Sequence, residues 1–290
     1  MQQILDSELI INPDGSIYHL NLRPEQIADT ILTVGDPGRV ARISKYFDKI
    51  EHQVNRREFV THTGWLGKTH LTVLSTGIGT DNIDIVLNEL DALANIDFKT
   101  RTPNKTHKTL NIIRVGTSGA VWRDAPVGSF VTSAFGLGLD NLMHFYEYEN
   151  TREEAELVQH FAAFPRNSLP TPPYAFAANA ELLESLTLDL QGITLTAPGF
   201  YAPQGRQLRG TTKLTPDILT HLSDFQYKSW RITNFEMETS GIFGLAKVLG
   251  HRAVSCNAII ANRILGKFSP DPGKAVESLI LKVLEKVAEL

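Results

Sequence analysis

The feature that most constrains this chain is a repeated passage from a short apolar run, through glycine, into a segment with helical spacing. "TILTVGDPGRVARISKYF" (Thr30 to Phe47) reads as strand, glycine turn and helix. "HLTVLSTGIGTDNIDIVLNELDAL" repeats the form, with Ile83, Val86, Leu87 and Leu90 on one helical face and Asp81 and Asn82 as expected caps. "TLNIIRVGTSGAV" and "HRAVSCNAIIAN" are further buried-type strands, and "DPGKAVESLILKVLEKVAEL" is an amphipathic closing helix. Strands alternating with helices predict an α/β fold, a largely parallel sheet covered by helices. Ligands in such folds sit at the carboxyl ends of the strands.

At 290 residues and 42% apolar content, one such domain can bury its own core. "DFKTRTPNKTHKT" and "FPRNSLPTPPYAF" read as loops or insertions, and no repeat or linker is visible. The net charge of −4 argues against non-specific nucleic-acid binding, which needs basic patches. A single cysteine, Cys256, excludes an intrachain disulfide and fits a reducing, cytoplasmic compartment. The opening "MQQILDSELIINPDGS" lacks the basic and apolar regions of a signal peptide, and no apolar run reaches membrane-spanning length.

Four stretches hold residue types suited to chemistry. In "VGDPGRV", glycines after a strand free amides to face an anion and Arg39 adds a cation; a plain turn with a surface arginine has the same sequence. In "RVGTSGA", Arg114 stands among Ile112, Ile113 and Val115, where burial demands a partner: either an oxyanion ligand or an internal carboxylate. "TAPGFYAPQGRQLRG" offers Phe200 and Tyr201 for stacking a planar ring, with Gln204 and Arg206 for its polar edge, or is simply a surface loop. In "NFEMET", Glu236 and Glu238 share a face if the chain is extended there, and suit sugar hydroxyls. The other reading is acids favoured at a helix N-terminus. The nine histidines show no His-x-x-x-His and the chain no Cys-x-x-Cys, so no metal site is expected; a Gly-x-Ser-x-Gly elbow is also missing.

"VGDPGRV", "STGIG", "RVGTSGA", "GFYAPQGR" and "NFEMET" occur here in the order in which the nucleoside phosphorylase family carries them. The chain resembles that family, most closely its uridine phosphorylase branch, from Tyr18 to the last helix. The resemblance implies a single domain over residues 1–290 with a central mixed, largely parallel sheet flanked by helices, and insertions near 97–109 and 141–174. It implies reversible phosphorolysis of a pyrimidine nucleoside, with inorganic phosphate as co-substrate and no other cofactor. Phosphate would meet Gly35, Arg39, Arg114 and Thr117, with Arg57 from a neighbouring subunit. Ribose would meet Glu238, the main chain near Met237, Thr117 and a neighbour's His19. The base would lie by Phe200, Ile260, Ser118 and Gly119, with Gln204 and Arg206 on its edge.

Catalysis is thereby expected from Arg114, Glu238, Gln204 and Arg206, in a homo-oligomer that is a dimer at least. Purine-cleaving relatives carry a late aspartate where this chain has Asn262, which favours a pyrimidine. Relatives also bind interface potassium through a serine aligned with Asn82, together with Glu58 and the Ile78 carbonyl. Asn82 departs from that pattern and leaves the ion an open expectation. A hydrolytic nucleosidase, a purine or broad-specificity phosphorylase, and a non-catalytic nucleoside-binding protein are the rival readings.

Overall fold

The structure, a computed structural model, describes residues 3–164, 170–214 and 217–290. Its first half contains β1 (Thr30–Val34), α1 (Pro37–Ser44), β2 (Lys49–Arg56), β3 (Phe59–Leu66), β4 (Thr69–Ser75), α2 (Thr80–Asn95), β5 (Ile96–Asp97), β6 (Thr102–Pro103) and β7 (Asn111–Ala120). Next come β8 (Phe130–Gly138), α3 (Arg152–Ala162), β9 (Tyr174–Ala177), α4 (Ala180–Ser185) and β10 (Leu190–Thr196). The rest is α5 (Asp217–Asp224), β11 (Gln226–Tyr227), β12 (Trp230–Glu236), α6 (Thr239–Leu249), β13 (Arg252–Asn262), β14 (Lys267–Phe268) and α7 (Pro272–Val287).

Neighbouring residues of the central strands point to opposite faces of the sheet, and both faces are apolar. Ile31, Ile112 and Ala253 pack with α2 and α6, through Ile83, Leu87, Ile242 and Phe243. Leu32, Ile113 and Val254 pack on the other side with α1 and α7, through Val40, Ile43, Leu279 and Val283. That two-sided burial explains why these strands read as unbroken apolar runs. Two helix starts follow simple rules: Asp36 accepts the Gly38 N–H and Asp271 the Lys274 N–H, each with proline at the first helical position. Glu277 of α7 ties the termini of the fold together by accepting from Arg42 (3.0 Å), Lys45 (2.5 Å) and Tyr46 (2.6 Å) around α1.

The sheet runs β11-β12-β10-β8-β13-β7-β1-β4-β3-β2. It is mixed. β4, β1, β7 and β13 are mutually parallel, as are β8, β10 and β12, but the two sets meet antiparallel where β13 pairs with β8. β12 then returns to β7 through Asn234↔Ala120 and Phe235↔Gly119. Thus β7, β13, β8, β10 and β12 close into a ring.

One local expectation needs correction, and the two stretches expected as insertions carry structure of their own. α2 is capped by Gly79 at φ 100°, with no side-chain cap, and Asp81 and Asn82 lie inside its first turn. In the stretch from Asp97 to Thr109, a small β5–β6 hairpin forms, with Arg101 donating to the carbonyls of Ile4, Leu5 and Leu9. Within 141–174, α3 is a capped helix held by the Thr151–Glu154 capping box. Tyr174 begins β9 paired to β8, while residues 165–169 of that expected insertion lie outside the described residues. Among the described residues, no helix is long and apolar enough to cross a membrane.

Candidate active site

The strands β1, β7, β12 and β13 end around one cleft of about 950 Å³, the position expected where an open α/β sheet changes direction. Its buried side, the inner end, carries the Arg114–Glu238 pair, and its more exposed side, the outer end, carries the Phe200–Gln204–Arg206 cluster. Gly35, Arg39, Thr117, Ser118, Gly119, Met237 and Ile260 complete the expected set within the same lining.

The inner end is a buried charge network. Arg114, projecting from β7, is only 6% exposed and pairs with Glu238 while Glu236 lies 3.3 Å away. Its other terminal nitrogen donates to Asn257 Oδ1 on β13 at 2.6 Å. Gly116 makes the room: a Cβ there would stand 1.7 Å from that nitrogen. Of the two sequence readings of Arg114, the internal carboxylate is therefore realised in the ligand-free chain. Burial opposes the cation, but the two glutamates outweigh it and raise its pKa. Arg39 reaches the same end and donates to the Val115 carbonyl at 3.0 Å, while its Nε is buried without a hydrogen-bond partner. Burial, then the neighbouring Arg114, weakens its hold on its proton to about 10, still a cation at neutral pH.

The two glutamates of "NFEMET" are held differently. β12 ends at Glu236, whose carboxylate accepts the N–H groups of Glu238 (2.9 Å) and Thr239 (2.9 Å) and the Thr196 hydroxyl (2.7 Å). It thus caps α6 while also lining the cleft; burial, with Glu238 nearby, pushes its pKa up. Glu238 sits one residue before α6 and accepts the Gly79 N–H at 2.9 Å as well as Arg114. A carboxylate offers about four lone-pair sites, so Glu238 keeps acceptors for hydroxyl groups in the cleft.

The outer end is more open. Arg206 donates to Gln204 Oε1 (2.5 Å) and the Phe200 carbonyl (2.7 Å), and its guanidinium stacks 3.8 Å from the centre of the Phe200 ring. Opposite stands Arg263, which donates to the Gln204 carbonyl at 3.1 Å and keeps its Nη1 buried without a partner. Burial and this second cation depress Arg206 to about 10. Sequence reading passed over Arg263 and Asn257. The available signals were a cation immediately after a buried strand and an amide inside one.

His19 and Arg57 lie outside this cleft. Glu89 holds His19 by its ring Nδ1 at 2.7 Å and its backbone N–H. Arg57 sits exposed at the β2–β3 turn with φ 54°, 5.8 Å from the ring of Tyr18. The two residues thus share one outer surface. Asn262 lines the cleft, but its amide is fully engaged. Nδ2 donates to the carbonyls of Trp122, Arg123 and Ala125, and Oδ1 accepts from Ile264 and Leu265.

Two places gather ligand-type atoms of the kind an ion would need. Glu58 and Ile78 border the cleft, and Asn82 turns its amide nitrogen to Glu58 Oε1 at 3.4 Å. A donor facing the carboxylate does not make a cation cradle, so no step is assigned to potassium. Asp91, His107 and His251 place ligand-type atoms within 4.8 Å of one another, a group that residue spacing did not signal. The Leu110 N–H donates to His251 Nδ1 (3.2 Å), which puts the imidazole proton on Nε2, 3.2 Å from Asp91. A protonated nitrogen is not a metal ligand.

With the geometry in place, comparison with known proteins is informative. A uridine phosphorylase of Thermococcus kodakarensis is 29% identical over 278 residues, covering 96% of this chain and 87% of that protein. A DeoD-type purine nucleoside phosphorylase of Shewanella loihica is 26% identical, over 85% of this chain and 86% of its own. The crystal structure of a Trypanosoma brucei nucleoside phosphorylase, described as showing uridine phosphorylase activity, superposes with a TM-score of 0.88. It is 28% identical and covers 97% of this chain and 100% of its own. The family model of the phosphorylase superfamily matches residues 29–289. The chain belongs to the phosphorylase superfamily.

Proposed function

We propose that this protein is a uridine phosphorylase, a pentosyltransferase that converts uridine and phosphate reversibly to uracil and ribose 1-phosphate. The observation that carries the reading is the set of groups that one cleft brings together. Arg39 and Arg114 lie beside Glu238, a carboxylate with spare acceptors, and the same cleft is lined by Phe200 with the Gln204–Arg206 amide and guanidinium pair. That set matches an anion, a sugar diol and a planar base with polar edges. The names of the Thermococcus and Trypanosoma relatives support it.

On this reading phosphate rests against Arg39, Arg114, Gly35 and Thr117, directly below the anomeric carbon. Arg39 Nε is a donor lacking a partner until an anion arrives. As the glycosidic bond stretches, positive charge on the sugar is stabilised by the phosphate, which then attacks; fixed placement makes this step effectively unimolecular. Electrons moving to the base are received at Gln204 and Arg206, with Arg263 beside them. Glu238 and the main chain at Met237 hold the ribose. Asn262, with its amide spent on the loop, has no proton to offer a purine.

Charge balance also supports an oligomer, a dimer at least. Arg39 and Arg114 face Glu236 and Glu238, so a phosphate dianion enters a site with little spare positive charge. Arg57 and His19, together on an outer surface, are suited to complete another copy's cleft. A cytoplasmic location fits the single, buried Cys256.

The test is release of uracil from uridine with and without phosphate, beside thymidine and inosine. Phosphate-dependent uracil release, with inosine poor, is expected. Release that ignores phosphate would favour a hydrolytic nucleosidase, and preference for inosine would favour a purine phosphorylase.

A further inference from the structure

Arg114 does more than pair with acids. Its guanidinium is one member of a closed circuit of hydrogen bonds through three other elements. Arg114 donates to Asn257 Oδ1 (2.6 Å), and Asn257 Nδ2 donates to Ser255 Oγ (3.1 Å). Ser255 Oγ meets Thr239 Oγ1 (2.9 Å), and the Thr239 N–H returns to Glu236, which faces Arg114. Asn257, Ser255 and Thr239 are fully buried, and Asn257 does not border the cleft.

We propose that Asn257 is a positioning residue for phosphate: it holds the Arg114 guanidinium away from full collapse onto Glu236 and Glu238, so that the cation stays aimed at the anion. The inference rests on the phosphorolysis reading. Three observations support it. Arg114 is a pure donor, so the facing atom must be an acceptor, and the Ser255 contact orients the amide with its oxygen toward the cation. Gly116 lets the same nitrogen lie against its backbone: a Cβ there would stand 1.7 Å from that nitrogen and 2.8 Å from Asn257 Oδ1, so the bond between the two fills the space a side chain would take. Finally, an amide supplies the acceptor without charge. A carboxylate there would be a third acid around one arginine and would neutralise the cation that must meet phosphate.

The test uses full-length Asn257→Leu and Asn257→Ala, which both remove the acceptor while differing in size, so one folded variant suffices. Steady-state kinetics should show the KM for phosphate raised roughly tenfold, the size of one hydrogen bond to a charged group. The KM for uridine should move less than about threefold, because Asn257 touches no group assigned to the base and Glu238 already pairs with Arg114, a separation expected of a group acting through the anion. Ser255→Ala, which frees the amide but keeps it, should raise the phosphate KM by about twofold, in line with loss of one neutral hydrogen bond. An unchanged phosphate KM in a folded variant, or equal rises for phosphate and uridine, would overturn the proposal. If the wild-type protein cleaves uridine without phosphate, the functional reading fails separately. Sulfate titration by calorimetry then decides the positioning role. Weaker sulfate binding in the variants sustains it, whereas unchanged binding, or no binding by the wild type, ends it.

Discussion

The two ends of the cleft handle arginine in opposite ways. At the inner end Arg114 is sealed among Glu236, Glu238 and Asn257, with charge and hydrogen bonds matched inside the protein. At the outer end Arg206 and Arg263 face each other without an acid between them, and one Arg263 nitrogen has no partner. Their neighbours Phe200 and Tyr201 are about half exposed (51% and 53%). The Arg114 network is therefore part of what holds the fold together, with Arg39 Nε beside it left for a ligand, whereas the outer end as a whole is a receptor whose satisfaction is left to a ligand. Substitutions should separate stability from catalysis accordingly.

The sharpest break is Arg114→Met. Two buried carboxylates would face each other without their cation, so urea denaturation should show a loss of about 3–5 kcal/mol. Turnover should fall by at least about a hundredfold, as for loss of a charge-stabilising donor. Adding Glu238→Gln should recover part of the stability and none of the turnover. A variant that kept wild-type stability would show that the inner network contributes little to folding.

Arg206→Ala should give the complementary result. Uridine kcat/KM should fall by about 3 kcal/mol, roughly a hundredfold, with the phosphate KM altered less than about threefold. Stability should stay within about 0.5 kcal/mol, since the residue is half exposed and peripheral. Equal damage to phosphate and uridine would contradict the division between the ends. Phe200→Ala is a milder probe. It removes the ring under Arg206, a cation–π contact of about 0.5–1 kcal/mol, and should raise the uridine KM by roughly threefold to fivefold.

The smallest expected effect on catalysis comes from outside the cleft and serves as its control. Glu277 is drawn from its ordinary 4.5 to about 2, by Lys45 first and then Tyr46 and Arg42. The unfolded chain thus binds this proton more tightly. The stabilisation is complete above 4.5 and fades as pH falls toward 2. Glu277→Gln should flatten the acid limb of a melting-temperature profile and leave both KM values alone. A kinetic change at neutral pH would mean that the α1–α7 clip reaches the cleft.

Much of this was legible before any coordinates. The alternation of Ile31 with Leu32 and of Ile112 with Ile113 marks two-sided strands, and the 3.6 spacing of α7 marks its inner face. What stayed hidden depends on contacts distant in sequence. Gly79 caps α2 by conformation, beside a glutamate 159 positions away, so Asp81 and Asn82 were reasonable but wrong choices. The antiparallel β13–β8 seam leaves no mark on periodicity, because both strands are buried where they pair. The motif "NFEMET" does not show that Glu236 accepts the N–H groups opening α6 while Glu238 pairs with Arg114. Asn257 reads as one polar residue in an apolar strand until Arg114 is seen against it.

The contact that completes the five-strand ring spans only two residue pairs, Asn234↔Ala120 and Phe235↔Gly119. Ser118 and Glu236 are their immediate neighbours in the chain, and Asn234 Nδ2 donates to Ser118 Oγ at 2.9 Å. This short clasp is thus where the molecule's integrity and its competence coincide. A fluctuation that parts those two rungs separates the wall carrying Ser118 from the strand end that leads to Glu238. Enzyme activity would then disappear before most amides lose protection from hydrogen exchange, making catalysis an early alarm for loosening of the barrel.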